Sequence, residues 1–418
     1  MERVSWITGL KGLAAFLVAF NHFFSGQIRP PHRSFWESPP EQNRRLFQLP
    51  PFRLIWAAGA MVPLFMTLSG YSLSLGLLKL RDSGQTVEFF LRLRSAASRR
   101  LLRLYFPFVL ISVVSQLAFF FGLYDWNLDD DVLQAHQLHG QSYSRQYEHI
   151  FHIQWTRGMN LQLWTMPFGL RGSYIVYVTI LGLSAWHWTV RVWLLSFMAL
   201  FALWYSAWDL FGFMSGILLV ELRSVFSTAS SSQTHGKSPL PPQRHAISCI
   251  LSSLCFVIGI YLFCLCGEDR LPPEYTILSS IRTSHWTKYN PYVEVQLCLH
   301  AIGAPLVVFA ISNTPILQKP LLTRPLQYLG KISFAVYLVH EMIFRLWRNP
   351  LTWYLWEMVT GEPYPGTDVA MQNPIPFFTA WVGSGLLLGS VVIAAAELVT
   401  RVLVHSESVS RISTGADN

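Results

Sequence analysis

The chain has 418 residues, of which 13% are charged and 52% hydrophobic, with 16 Trp, 29 Phe and a net charge of +8. The charged share is about half that of soluble domains. No soluble fold hides so many apolar runs of twenty residues, so the composition excludes an ordinary water-soluble enzyme and predicts an all-α, polytopic membrane helix bundle. The positive balance reads as a cytoplasm-facing excess of Lys and Arg and gives no argument for nucleic acid. The five cysteines lie mostly in apolar segments and read as packed thiols, and Cys264-x-Cys266 lacks the partners of a zinc site.

Hydropathy predicts about ten transmembrane helices, at 5–24, 54–78, 101–123, 171–186, 189–206, 208–222, 246–266, 294–312, 327–347 and 376–404. No basic segment with a small-residue cleavage site precedes the first, so it is expected to remain as a span. That span carries Lys11 and His22 in an otherwise apolar run. A titratable group in hydrocarbon costs several kcal/mol unless it faces a polar interior, which makes His22 a functional-site candidate. Eleven residues at about 100° each bring Lys11 back to the same helix face, roughly 16 Å along the axis. Two polar groups on one stripe suggest a lined cavity. Interfacial residues snorkelling at opposite ends of the span are the other reading.

The next segment, 79–100, holds Lys79, Arg81, Arg92, Arg94, Arg99 and Arg100 against Asp82 and Glu88, and is expected to be cytosolic. Counting spans from it puts both termini in the cytosol. It puts 124–170 outside, with Asp125, Asp129, Asp130, Asp131 and Glu148. The first outer loop, with Arg29, Arg33, Arg44, Arg45 and Arg53, runs against this charge pattern. The Ser- and Pro-rich stretch at 224–245 reads as a flexible cytosolic linker within one domain, 1–418. No internal repeat of the transporter kind is visible.

The third span opens with Arg100 and Arg103, which share a helix face at i,i+3, with Arg103 expected to lie deeper. With Lys11 they put three cations near one mouth, suited to a polyanion because guanidinium binds phosphate oxygens in pairs. Ordinary positive-inside charge is the alternative. Ser69, Tyr71 and Tyr337 are polar groups in apolar spans, readable as cavity lining or as satisfied in-helix hydroxyls. His340 is a second intramembrane histidine, followed by Glu341 and Arg345. His136-x-x-His139 and His149-x-x-His152 have a helical metal-ligand spacing but no accompanying Cys, so no metal is expected.

Four blocks together carry a resemblance. Lys11-x10-His22, Phe65-Met66-Thr67-Leu68-Ser69-Gly70-Tyr71, Arg100-x-x-Arg103 before Tyr105-Phe106-Pro107, and Leu329-Gly330-Lys331-Ile332-Ser333 through Tyr337-Leu338-Val339-His340 occur in this order over nearly the whole chain. In order and spacing the set resembles the acyltransferase type 3 family of integral membrane O-acyltransferases. Trp164-Thr165-Met166-Pro167 with Arg171-Gly172-Ser173 looks like its fungal branch, whose members often act on secondary metabolites. Two positions depart from the pattern. The family's first-span Arg is Lys11 here, which keeps the charge but loses the fork. Gly169 stands where the fungal branch usually has an acid.

The resemblance implies acyl transfer, with acetyl expected, from cytosolic acyl-CoA as co-substrate to a hydroxyl of a lipophilic small-molecule acceptor. The partners would be acyl-CoA, the acceptor and membrane lipid, with no bound cofactor. The site would lie in the endoplasmic reticulum or another endomembrane. His22 would be the general base, with Lys11, Arg100 and Arg103 binding the CoA end. Asn21, Ser69, Tyr71, Trp164, Arg171, Tyr337 and His340 are candidate cavity-lining residues. A polytopic transporter and a catalytically inactive family member are the competing readings.

Overall fold

The computed structural model of the protein describes residues 4–24, 28, 33–123, 161–231, 242–266, 271–287 and 291–413. The acidic stretch 125–131 and both His-x-x-His pairs fall outside these. Among the described residues the regular structure is all helical. The long helices are α1 (Ser5–Phe24), α2 (Met61–Asp82), α3 (Thr86–Phe120), α4 (Met166–Gly182) and α5 (Trp188–Trp204). They continue with α6 (Trp208–Ser231), α7 (Pro242–Phe263), α8 (Pro291–Asn313), α9 (Arg324–Thr360) and α10 (Pro374–Ser413). Five segments are long and apolar enough to cross a membrane: Ser5–Phe24, Ala58–Asp82, Thr86–Phe120, Val293–Asn313 and Pro374–Val402.

Helix limits depart from hydropathy for identifiable reasons. The second predicted span begins at 54, but Phe52–Trp56 and Ala58–Ala60 are 3-10 turns, and the α-helix starts only at Met61. The segment 79–100, expected to be cytosolic, is helical on both sides of one short turn. α2 continues to Asp82, Gly84 takes φ 72° in the turn, and α3 begins at Thr86. α3 then runs unbroken past Pro107 to Phe120. Arg, Leu, Ala and Ser between 86 and 106 include no helix breaker, and hydropathy registers only the apolar half of such a helix. α6 likewise extends to Ser231 and α7 opens at Pro242, so part of the expected linker at 224–245 is helical and 232–241 lies outside the described residues.

The chain folds as two compact units, each discontinuous in sequence. The first gathers Met1–Leu17, Arg29–Arg100 and Gly169–Gly330, and the second Val18–Ile28, Leu101–Phe168 and Lys331–Asn418. In the first unit α2 lies against α6 at backbone contact. A Cβ placed on Gly70 would sit 2.3 Å from the Phe213 carbonyl oxygen, and one on Gly216 would sit 2.4 Å from that of Thr67. The close approach buries Leu64, Leu68, Tyr71, Phe213, Met214 and Ile217 completely or nearly so. In the second unit Phe23 meets Phe344 and Trp381 edge-on at 5.3 and 5.8 Å, and Trp381 stacks on Phe24. Thr352 on α9 donates to Ser384 on α10 at 2.9 Å.

Candidate active site

One stripe of α9 carries a row of polar and charged groups in the second unit. Tyr337, His340, Glu341, Phe344, Arg345 and Arg348 stand at i, i+3, i+4, i+7, i+8 and i+11, so they line one helix face. The end of α1 lies along this stripe. Its last carbonyls have no intrahelical partner, and the Arg348 guanidinium donates to the carbonyl oxygens of Phe23 at 3.2 Å and His22 at 3.4 Å. This positive group at a helix C-terminus also suits the helix dipole. With the Phe23–Phe344–Trp381 cluster it fixes where His22 stands.

His22 Nδ1 lies 3.0 Å from His340 Nε2 and 3.1 Å from Glu341 Oε2. His340 is fully buried, and its Nδ1 lies 3.0 Å from the Val336 carbonyl oxygen. A carbonyl only accepts, so the His340 proton sits on Nδ1. With its proton on Nδ1, the neutral ring leaves Nε2 as an acceptor. The proton between the two rings therefore belongs to His22 Nδ1, which donates to His340 and faces the Glu341 carboxylate. His22 Nε2 is left with its lone pair exposed, and among the described residues nothing is bonded to it. The His22 side chain is 31% exposed and Glu341 only 12%. Arg345 holds the other carboxylate oxygen of Glu341 at 2.8 Å, a helical i,i+4 pair.

A second set of bonds anchors the stripe. The Tyr337 hydroxyl lies 2.6 Å from Thr165 Oγ1 and donates to the Gln162 carbonyl, and the Gln162 amide donates to the Leu338 carbonyl at 2.9 Å. The turn Leu161–Thr165 is thus tied to α9 one helical turn before His340. Trp164 sits on this turn, edge-on to Phe168 at 5.7 Å.

The structure thus gathers His22, His340 and Tyr337 in one neighbourhood, with Trp164 on the turn tied to Tyr337. It adds Glu341, which sequence reasoning noted only as the residue after His340. Asn21 is buried beside His22 in sequence. Arg103 is exposed and falls in the middle of a continuous helix, Thr86–Phe120.

The remaining candidates belong to the first unit, and among the described residues all but Ser69 have a side-chain partner there. Lys11 Nζ donates to Ser72 Oγ at 3.2 Å, and half-buried Arg100 donates to Ser173 Oγ at 2.9 Å. Ser173 in turn donates to the Gly169 carbonyl at 2.6 Å. Arg171 pairs with buried Asp209 at 2.7 Å, and the Tyr71 hydroxyl accepts from Arg223 at 2.8 Å. Ser69 is half-buried. A Cβ on Gly169 would meet nothing within 4 Å, so the glycine there answers to no crowding.

A neutral imidazole with one nitrogen held by a carboxylate and the other bare is the arrangement of a general base. The chain is 25% identical over 390 residues to "O-acetyltransferase PaAT-1" of Phomopsis amygdali, covering 81% of this chain and 72% of that one. It is 22% identical over 413 residues to "Acyltransferase clz18" of Cochliobolus lunatus, 86% of each. With "Acyltransferase R4" of a Phoma species it shares 22% over 396 residues, 81% of this chain and 82% of the relative. No solved structure matches it. The family described as "Acyltransferase domain" matches residues 4–395, nearly the whole sequence, and the chain belongs to that family, the acyltransferases of type 3.

Proposed function

We propose that this protein is a membrane-bound O-acyltransferase, acting as a single catalytic domain of about ten spans. It moves an acetyl group from acetyl-CoA to a hydroxyl of a lipophilic small molecule, of the secondary-metabolite kind. The observation that carries this reading is the position of His22: Nδ1 held against Glu341 and His340, Nε2 bare. His22 Nε2 takes the proton of the acceptor hydroxyl as its oxygen attacks the thioester carbonyl. The imidazolium that forms faces the Glu341 carboxylate, which favours the charge as it appears. The tetrahedral intermediate collapses with loss of CoA thiolate, which receives the proton from His22. Lys11, Arg100 and Arg103 bind the phosphates of the donor, the two arginines as paired donors and Lys11 as a point charge. The termini face the cytosol, in the endoplasmic reticulum or another endomembrane.

The test is transfer or hydrolysis of labelled acetyl-CoA by membranes bearing the protein. His22→Gln keeps size and polarity and cannot take the proton. Its kcat should fall by about 10² to 10⁴, with the KM for acetyl-CoA little changed. A Gln variant with normal turnover rejects His22 as base. A wild-type protein with no acetyl transfer or hydrolysis, yet correctly folded, rejects the enzyme reading in favour of a transporter or an inactive member.

A further inference from the structure

We propose that His22, His340 and Glu341 form a binding site for a borderline divalent cation, Zn2+ in the first instance, and that occupancy of the site arrests acyl transfer. The inference rests on the reading of His22 as base for its second half only.

The three donor atoms, His22 Nδ1, His340 Nε2 and a Glu341 carboxylate oxygen, all lie within 4.8 Å of one another. Two of the separations are 3.0 and 3.1 Å. Ligands about 2.05 Å from a tetrahedral zinc are about 3.3 Å apart, so these two pairs need shifts of a few tenths of an ångström, and the third pair, within 4.8 Å, closes by at most about 1.5 Å. Two imidazoles and one carboxylate, with a fourth position left for water, is a common zinc set. Nitrogen donors favour zinc-like ions over Mg2+ or Ca2+, which take oxygen.

The outer partners that orient metal ligands are already in place. A ligating histidine normally gives its other ring N–H to a carbonyl or carboxylate, and His340 gives its to Val336. A ligating carboxylate normally has its second oxygen held, and Arg345 holds Oε1 of Glu341. Every atom that would not touch the ion is engaged, except His22 Nε2.

The exchange is balanced. The proton on His22 Nδ1 leaves for the metal, and the neutral ring then carries its proton on Nε2. Nε2 is the atom with which the base takes the acceptor's proton, so the metal-bound enzyme has no base. Metal and proton compete for one nitrogen, and the two tautomers of His22 are the working and the arrested states.

The full-length protein, metal-stripped in detergent, would be dialysed against buffered Zn2+ while acetyl transfer is followed, and titrated in parallel with Co2+. One equivalent of Zn2+ should bind, the visible absorption of four-coordinate Co2+ should appear, and turnover should fall at the same midpoint and return with chelator. In His340→Gln and in Glu341→Gln the binding midpoint should rise more than tenfold. Absence of the equivalent in the wild-type protein, or an unchanged midpoint in both variants, overturns the site. The Co2+ spectrum of the wild-type protein decides the matter even where a variant fails to fold. If labelled acetyl transfer depends on His22 but no equivalent binds, the metal site fails and the enzyme reading stands. If the equivalent binds through these residues in a protein that transfers no acetyl group, the site stands and the enzyme reading fails.

Discussion

At the scale of single residues, the second histidine and the acid have separable tasks. In the proposed mechanism Glu341 stabilises a charge that exists only once His22 has taken a proton, whereas His340 sets which nitrogen of His22 is bare. A hydrogen bond to a charged group is worth about 1.5–3 kcal/mol. Glu341→Gln should therefore lower kcat about 10- to 150-fold with little change in the KM for acetyl-CoA, measured by steady-state transfer of label. A change confined to KM would make Glu341 a binding group instead. His22 was legible in the sequence because a histidine in an apolar run is costly. Glu341 was not, because its importance comes from a partner 319 positions away. The spacing from Tyr337 through Arg348 at helical steps is the signal that marks it, once 337–348 is read as one face rather than as the end of a span.

At the scale of elements, the helices were legible wherever an apolar run and a helix coincide, as in α1, α5 and α8. They were not legible where a helix continues into charged sequence, as α3 does towards its start, or past a proline, as α9 does at Pro350 on its way to Thr360. Charged residues with good helix propensity end a hydropathy window without ending a helix. The crossing of α2 and α6 makes the clearest stability test. Gly216→Ala would force a methyl against the Thr67 carbonyl oxygen and the Tyr71 amide nitrogen, 2.4 and 2.5 Å away. Overpacking of that kind costs about 1–3 kcal/mol, and the melting temperature in detergent should fall by several degrees. Gly169→Ala is the counterpart, since its methyl would enter open space on α4. It should leave the melting temperature unchanged or raise it, because alanine is the better helix former by about 1 kcal/mol.

For the whole molecule, the proposed orientation rests on charge distribution along the chain, since apolar length alone carries no direction. Arg92, Arg94, Arg99 and Arg100 now lie on a helix rather than in a loop, but the positive-inside rule concerns where charge resides, not what shape it takes. A cysteine introduced as Ser98→Cys, at an exposed position of α3, should react with an impermeant maleimide in sealed vesicles whose cytosolic face is outward. The protein without the substitution supplies the background. Reaction only after permeabilisation would reverse the proposed orientation and with it the side from which acetyl-CoA enters. The two compact units were not legible at all. Each is assembled from segments far apart in sequence, and α1, α3 and α9 each contribute residues to both, so no composition shift marks a boundary.

The bond from His340 to Val336 has an evolutionary corollary. Its acceptor is a peptide oxygen, present whatever side chain residue 336 bears, so long as α9 remains helical. The proton placement on His22 is therefore insulated from drift at position 336, where replacements are limited only by the packing that buries the side chain. Only a proline one turn downstream, at residue 340 itself or beside it, or the loss of the ring would erase it. A catalytic tautomer secured by main chain is inherited with the helix rather than maintained by selection on a separate side chain.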